Sequence, residues 1–304
     1  MRRREFIIVI AGSAVATLGA CGSSIARPRS GAMEVMAQLS PPIEQAPTLL
    51  TAPIELAGDW GHMLPRAADQ VVERMRHACL DGVRLVSDRQ PTRLRVDEHT
   101  SGSPNVWLHP DGSTMAWIIV DVGERAWSQL FYQFGHELGH VMANSWQPFA
   151  KPLLPCQWIE EALVEAFSIR GLGRLAESWK QDPPFAGDNA YGDAIADYRR
   201  DIIQKYSVIA EQQGTTRDTA KWFADNRTEI EAPGHPLMGP ASLIVLAEYE
   251  RTPSCVEALG ALNRWPGRSG IPIQDYFRQW QASCVELGAS SELPTRLRET
   301  LGIT

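Results

Sequence analysis

Apolar residues between positions 126 and 142 fall on a single stripe. Trp127, Leu130, Phe131, Phe134, Leu138, Val141 and Met142 recur every three or four residues, the period of an amphipathic α-helix. The spacing predicts a helix over 125–144. Similar patterns predict helices over 65–79, 158–175, 194–213, 216–226, 240–250, 255–263 and 273–287. The first of these has Pro65 at its start, where a missing N–H leaves no helical bond unmade. Short β-like runs at 83–86, 93–97, 105–108 and 115–121 predict strands. Pro110-Asp111-Gly112-Ser113 predicts a turn that joins the last two as a hairpin. Strands in one block and helices in the next argue for an α+β fold, with a small mixed or antiparallel sheet and a mostly helical remainder.

The polar side of the 125–144 helix carries the candidate chemistry. His136-Glu137-Leu138-Gly139-His140 is an HExxH pattern. At about 100° per residue, His136 and His140 lie nearly opposite the apolar stripe. Residues four apart share a helix face, so two imidazoles can bind one Zn²⁺ while Glu137 stands beside it as general base. Few charges occur over 126–142, so this helix needs cover on its polar side too. A helix between two lobes, with its histidines toward a cleft, meets both needs.

A catalytic zinc wants a third protein ligand and an open fourth position. Trp158-Ile159-Glu160-Glu161-Ala162-Leu163-Val164-Glu165-Ala166-Phe167 offers three carboxylates. Glu161 and Glu165 share a helix face among apolar neighbours, and Glu160 competes with Glu161 as ligand. In this segment the chain resembles the gluzincins, the thermolysin and aminopeptidase group, in which a Trp-x-x-Glu helix follows HExxH. The resemblance covers roughly residues 115–285. It implies Zn²⁺ held by His136, His140 and Glu161, and a zincin-like metallopeptidase lobe. It further implies Glu165 as the acidic residue that fixes a ligand histidine's tautomer. Ala162 stands where the family usually has Gly, and Val164 where Ala is common. The metzincin pattern fails, since it needs Gly and His where the chain has Ala143 and Trp146.

The same resemblance implies a transition-state donor on a later segment. Gly234-His235-Pro236-Leu237-Met238-Gly239 is similar to a Tyr-x-x-Gly region, but Pro236 holds the Tyr place. His235 is the substitute candidate, and Tyr191 and Tyr198 are its rivals. The family binds extended substrates along an edge strand before the HExxH helix, for which 115–121 is the candidate here. The implied function is a zinc-dependent hydrolase acting on a peptide or protein substrate. The alternative is an inactive zincin-fold envelope lipoprotein serving as a binding or assembly module, which the missing Tyr favours.

The first twenty-one residues read as an address. Arg2, Arg3 and Arg4 precede a moderately apolar run from Phe6 to Leu18. Arg3-Arg4-Glu5-Phe6-Ile7 resembles a twin-arginine export motif, and Leu18-Gly19-Ala20-Cys21 resembles a bacterial lipobox. These resemblances imply a signal peptide over 1–21, lipidation at Cys21 and a periplasmic protein anchored to a membrane. Gly22 rather than Asp favours the outer membrane. Pro28, Pro41, Pro42, Pro47 and Pro53 mark 22–55 as a tether. The metallopeptidase-like domain is expected over 56–290, strand-rich to 124 and helical thereafter, with 291–304 as a tail. Cys79, Cys156, Cys255 and Cys284 remain after Cys21. In an oxidising compartment they would form two disulfides, with Cys255–Cys284 the preferred pair, or else stay as four buried thiols. A net charge of −7 over 304 residues gives no electrostatic reason for a nucleic-acid partner.

Overall fold

Alternation along the strands decides which side of the sheet becomes core. Leu94, Val96, Ala116 and Ile118 are fully buried, while Arg95 and Trp117 between them stay partly exposed. A computed structural model describes residues 48–58, 60, 65–98, 103–108, 114–122, 126–147, 150, 152–215, 217–234 and 237–304. Cys21, the export segment, the tether up to residue 47, the turn at 110–113 and His235 lie outside these residues.

The described fold is α+β, a mixed sheet followed by helices. The strands are β1 (Ile54–Gly58), β2 (Arg93–Glu98), β3 (Asn105–Trp107) and β4 (Met115–Val120), in the order β1-β2-β4-β3. β2 pairs in parallel with β1 and with β4, and β3 pairs antiparallel to β4, with Val106 opposite Ile118. Two expectations need correction here. The 115–121 run is not an edge: β4 sits between β2 and β3, and β3 holds the edge position. Residues 83–86 form no strand, because their polar backbone is engaged elsewhere. Val83 N–H donates to Leu80, and Arg84 N–H to the Glu257 carboxylate at 3.2 Å. β1 also begins at Ile54, so Ile54 and Glu55 fall within the stretch 22–55 read as tether.

Helix α1 (Pro65–Leu80) packs under the sheet against β1. Next come α2 (Trp127–Met142), α3 (Gln157–Gln181), α4 (Tyr191–Gln212), α5 (Thr219–Ile230) and α6 (Met238–Arg251). α2 buries the predicted stripe from Leu130 to Met142, with Trp127 only half-buried. α3 is buried at every position from Ala162 to Leu172. A helix apolar on all sides is one surrounded on all sides, and α3 contacts α1, α2, α4 and α6. α5 starts at Thr219 because the Asp218 side chain caps it, accepting from Lys221 N–H at 2.9 Å.

The stretch predicted as a helix over 255–263 is a 3-10 helix, Pro253–Ala261. It is followed by α7 (Ile273–Leu287) and α8 (Glu292–Thr300). Residues 291–304, read as a tail, contain α8, which buries Leu293 and Leu297 in the core, as it does Leu301 just beyond its end. The disulfide expectation is also corrected. Cys79, Cys156, Cys255 and Cys284 are all free and buried. They pack as small hydrophobes. No helix among the described residues is long and apolar enough to cross a membrane.

One glycine sets how closely α2 and α3 approach. A Cβ on Gly139 would stand 2.8 Å from Val164 Cβ and 3.2 Å from Phe167 Cδ1. Both neighbours are themselves core residues with nowhere to retreat. Gly139→Ala is therefore expected to destabilise the protein by about 1–3 kcal/mol by spreading the two helices. Urea unfolding checks this, and a variant as stable as the wild type overturns the argument.

Candidate metal centre

α2 and α3 bring three donors together. His136 and His140, one turn apart, present their rings edge-to-face with centroids 5.0 Å apart. Glu161, in the first turns of α3, faces them. Its Oε2 lies 3.5 Å from His136 Nε2 and 3.6 Å from His140 Nε2. Among the described residues, His136, His140 and Glu161 form the group whose ligand atoms all lie within 4.8 Å of one another.

The distances suit a small divalent ion. Ligands about 2.1 Å from a tetrahedral centre stand about 3.4 Å apart. The carboxylate oxygen meets that spacing to both imidazoles. The donor side chains keep 13–16% of their surface exposed, so the space between them meets solvent.

The remaining ring nitrogens are each held by a separate carboxylate. His136 Nδ1 donates to Glu165 Oε2 at 3.0 Å, and His140 Nδ1 donates to Glu160 Oε1 at 2.7 Å. With Nδ1 protonated, each Nε2 lone pair points toward Glu161. Glu165 has no exposed surface, and its Oε1 accepts from Tyr132 OH at 2.6 Å and Tyr206 OH at 2.9 Å. Glu160 Oε2 accepts from Asn263 Nδ2 at 2.7 Å. Glu160, weighed above as a rival ligand, thus supports His140 instead.

Charge dominates this site. Glu137, Glu160 and Glu165 are buried beside Glu161. Burial works against an imidazolium at His136, yet its bonds to Glu161 and Glu165 push its pKa up to about 10. His140 is also raised, against burial, by the charge of Glu161 and the bond to Glu160. Glu161 is held well below the usual carboxylate range, against burial, by both histidines. Glu160 is lowered too, against burial, by its bond to His140 and that ring's charge, with help from Arg268. Burial lifts Glu137, although both histidines oppose it. A carboxyl raised in this way takes up a proton more readily than an exposed one. Burial and the Glu165 charge raise Tyr132 and Tyr206, so both remain protonated donors.

The other sequence candidates fall elsewhere. Tyr191 OH accepts from Ser128 N–H at 3.2 Å, at the start of α2. Tyr198 packs edge-on to Tyr132 at 6.1 Å and has its pKa raised to about 12 by burial and the Glu165 charge. Tyr132, Tyr206 and Asn263 went unrecognised in the sequence. Tyr132 had a readable signal, since it sits four residues before His136 on one helix face. Tyr206 and Asn263 arrive from later elements, and no local pattern marks them. Comparison with protein-family models, with curated proteins and with solved structures returns no match.

The histidine shift has a signed consequence. Its folded value, about 10, lies above its ordinary 6.5. In metal-free protein it adds stability that is full below 6.5 and is lost as pH rises toward 10. A divalent ion held there would replace that proton, so its binding would release protons and strengthen over the same window. Thermal midpoints of metal-free protein are expected to fall between pH 6.5 and 10, with a smaller fall when zinc is present. A metal-free midpoint that climbs across this window rejects the assignment.

Proposed function

We propose that this chain is a zinc-dependent hydrolase of the gluzincin type, acting on peptide bonds. One observation carries the reading: two imidazoles and the Glu161 carboxylate converge at ion-binding distance while each imidazole is fixed from behind by its own buried carboxylate. Bound there, zinc would polarise the scissile carbonyl and bring the pKa of a water to roughly 7.

The chain's own residues would do the rest. Glu137 accepts a proton from the attacking water and passes it to the leaving amine. Its burial suits both tasks, because a raised carboxyl pKa makes the protonated form accessible between the two transfers. Glu165 and Glu160 hold the ligand rings in one tautomer. An extended substrate would pair with the outer edge of β3, the strand beside β4, rather than with β4 itself. Trp107 on β3 is half-exposed and available to a substrate side chain.

Export and anchoring belong to the same proposal. The lipobox at Cys21 would place the enzyme at a periplasmic membrane face, with residues 22–47 as the tether. Replacing Cys21 with Ser should release the protein from the membrane fraction of a producing cell. Recovery of that variant with the membranes would overturn the anchor.

A second reading, a zinc-holding lipoprotein without turnover, draws on Pro236 at the family's Tyr position. Glu137→Gln separates the two. In a peptidase it keeps stoichiometric zinc and loses about 10²–10⁴-fold in kcat, while Glu161→Ala loses the metal. Metal analysis and hydrolysis of denatured protein and cell-wall peptides, with and without chelator, read out both. Stoichiometric zinc in the wild type with no chelator-sensitive turnover would favour the second reading.

A further inference from the structure

The turn that ends α2 and the turn that ends the 3-10 helix are locked together by two buried asparagines. Asn144 and Asn263 both adopt left-handed backbone, with φ of 66° and 59°. Each side chain reaches into the other's turn. Asn144 Nδ2 donates to Gly260 O at 3.1 Å and to Leu262 O at 2.8 Å. Asn263 Nδ2 donates to Ala143 O at 3.0 Å and Ser145 Oγ at 3.3 Å. That much is a structural clamp, built from a residue type that tolerates left-handed backbone and hydrogen-bonds locally.

The shortest bond goes beyond the clamp. Asn263 Nδ2 lies 2.7 Å from Glu160 Oε2, although 103 residues separate the two in sequence. Glu160 Oε1 is the atom that holds His140 Nδ1. The chain of contacts therefore runs from Asn263 through one carboxylate to a metal-donor imidazole. Arg268 flanks it: its Nη2 donates to Ser145 Oγ at 2.9 Å, and its charge favours ionised Glu160.

We propose that Asn263 is a positioning residue for the metal centre, fixing the Glu160 carboxylate and through it the direction of the His140 ring. The proposal rests on the zinc reading above and adds to it a contribution from outside the two motif helices. The physical reason is the two-oxygen geometry of a carboxylate. A buried Glu160 with one oxygen left unbonded would turn to find Ser145 or Arg268 instead. That rotation would carry Oε1 off His140 Nδ1 and free the ring to swing. A metal site tolerates only about 0.5 Å of such drift.

The test is a double-mutant cycle on metal affinity, with no activity measurement needed. Asn263→Gly keeps the left-handed turn and removes the donor. It is expected to weaken zinc binding, read by competition with a chromophoric chelator, about 10–100-fold. The visible spectrum of the cobalt-substituted protein should shift with it. Glu160→Gln alone should weaken binding similarly, and adding Asn263→Gly to it should change affinity less than about twofold, because the route is already cut. Asn263→Asp, of the same shape, should match or exceed the loss and guards against a misfolded Gly variant.

Wild-type affinity and an unshifted cobalt spectrum in Asn263→Gly would overturn the proposal. So would an equal loss from Asn263→Gly in both backgrounds, which would mean that the clamp acts through stability alone. A wild type that holds no zinc would overturn both this proposal and the hydrolase reading. Wild-type zinc with an indifferent Asn263 would overturn only this one.

Discussion

Negative charge buried beside two imidazoles is the constraint around which this molecule is arranged. Glu137, Glu160 and Glu165 lie inside the protein, with Glu161 nearly so. Isolated buried carboxylates are strongly unfavourable. Each must find either a proton, a hydrogen-bond donor or a cation. Tyr132 and Tyr206 serve Glu165, and Asn263 and His140 serve Glu160. Glu161 is left facing two ring nitrogens and little else. A divalent ion at that point would offset the remaining charge in one step. The upward pull on both histidines expresses the same demand: the carboxylates favour protonated imidazoles beside them.

The scaffold meets this demand by crowding two helices. α2 packs on α1, α3 and β4, with Phe131 against Trp179 of α3, and turns its histidines to Glu161 of α3. α3, enclosed on nearly every side, has no freedom to slide. The missing side chain at Gly139 lets the helices touch one residue before His140. The sheet contributes by anchoring the start of α2, where Gln129 and Gln133 side-chain amides both donate to the Asp121 carbonyl. Strand end, helix start and ligand face are thus connected by short polar contacts within three helical turns.

Much of this could be read from the chain, and the failures have physical causes. The HExxH face and the 158–167 helix were legible because periodicity is local. Each candidate donor lies within one turn of a recognisable neighbour. The pairing of β3 with β4 was legible because the composition of Pro110-Asp111-Gly112-Ser113, outside the described residues, favours a turn between them. β1 was missed because Ile54–Gly58 follows a proline-rich stretch, and its strand character depends on pairing with β2, far along the chain. α8 was missed because its surface is mostly charged and its few apolar residues matter only once they meet the core. Glu160 was weighed as a ligand because sequence cannot show which of two adjacent glutamates faces the Nε2 atoms; its bonds to His140 Nδ1 and to Asn263, from a distant turn, appear only in three dimensions. The 255–263 stretch was read as α-helix because its apolar spacing suits either helix type; the structure forms it as 3-10.

The free cysteines bear on what holds the helices together. Cys79 Sγ fills space that Gly135 and Gly171 leave open where α1 meets α2 and α3, and burial pushes its thiol up to about 12. Such a sulfur is a spacer, inert to exchange chemistry. The packing therefore asks nothing of an oxidant. The described core is complete without any covalent cross-link, and its four cysteine sulfurs serve as filler between helices.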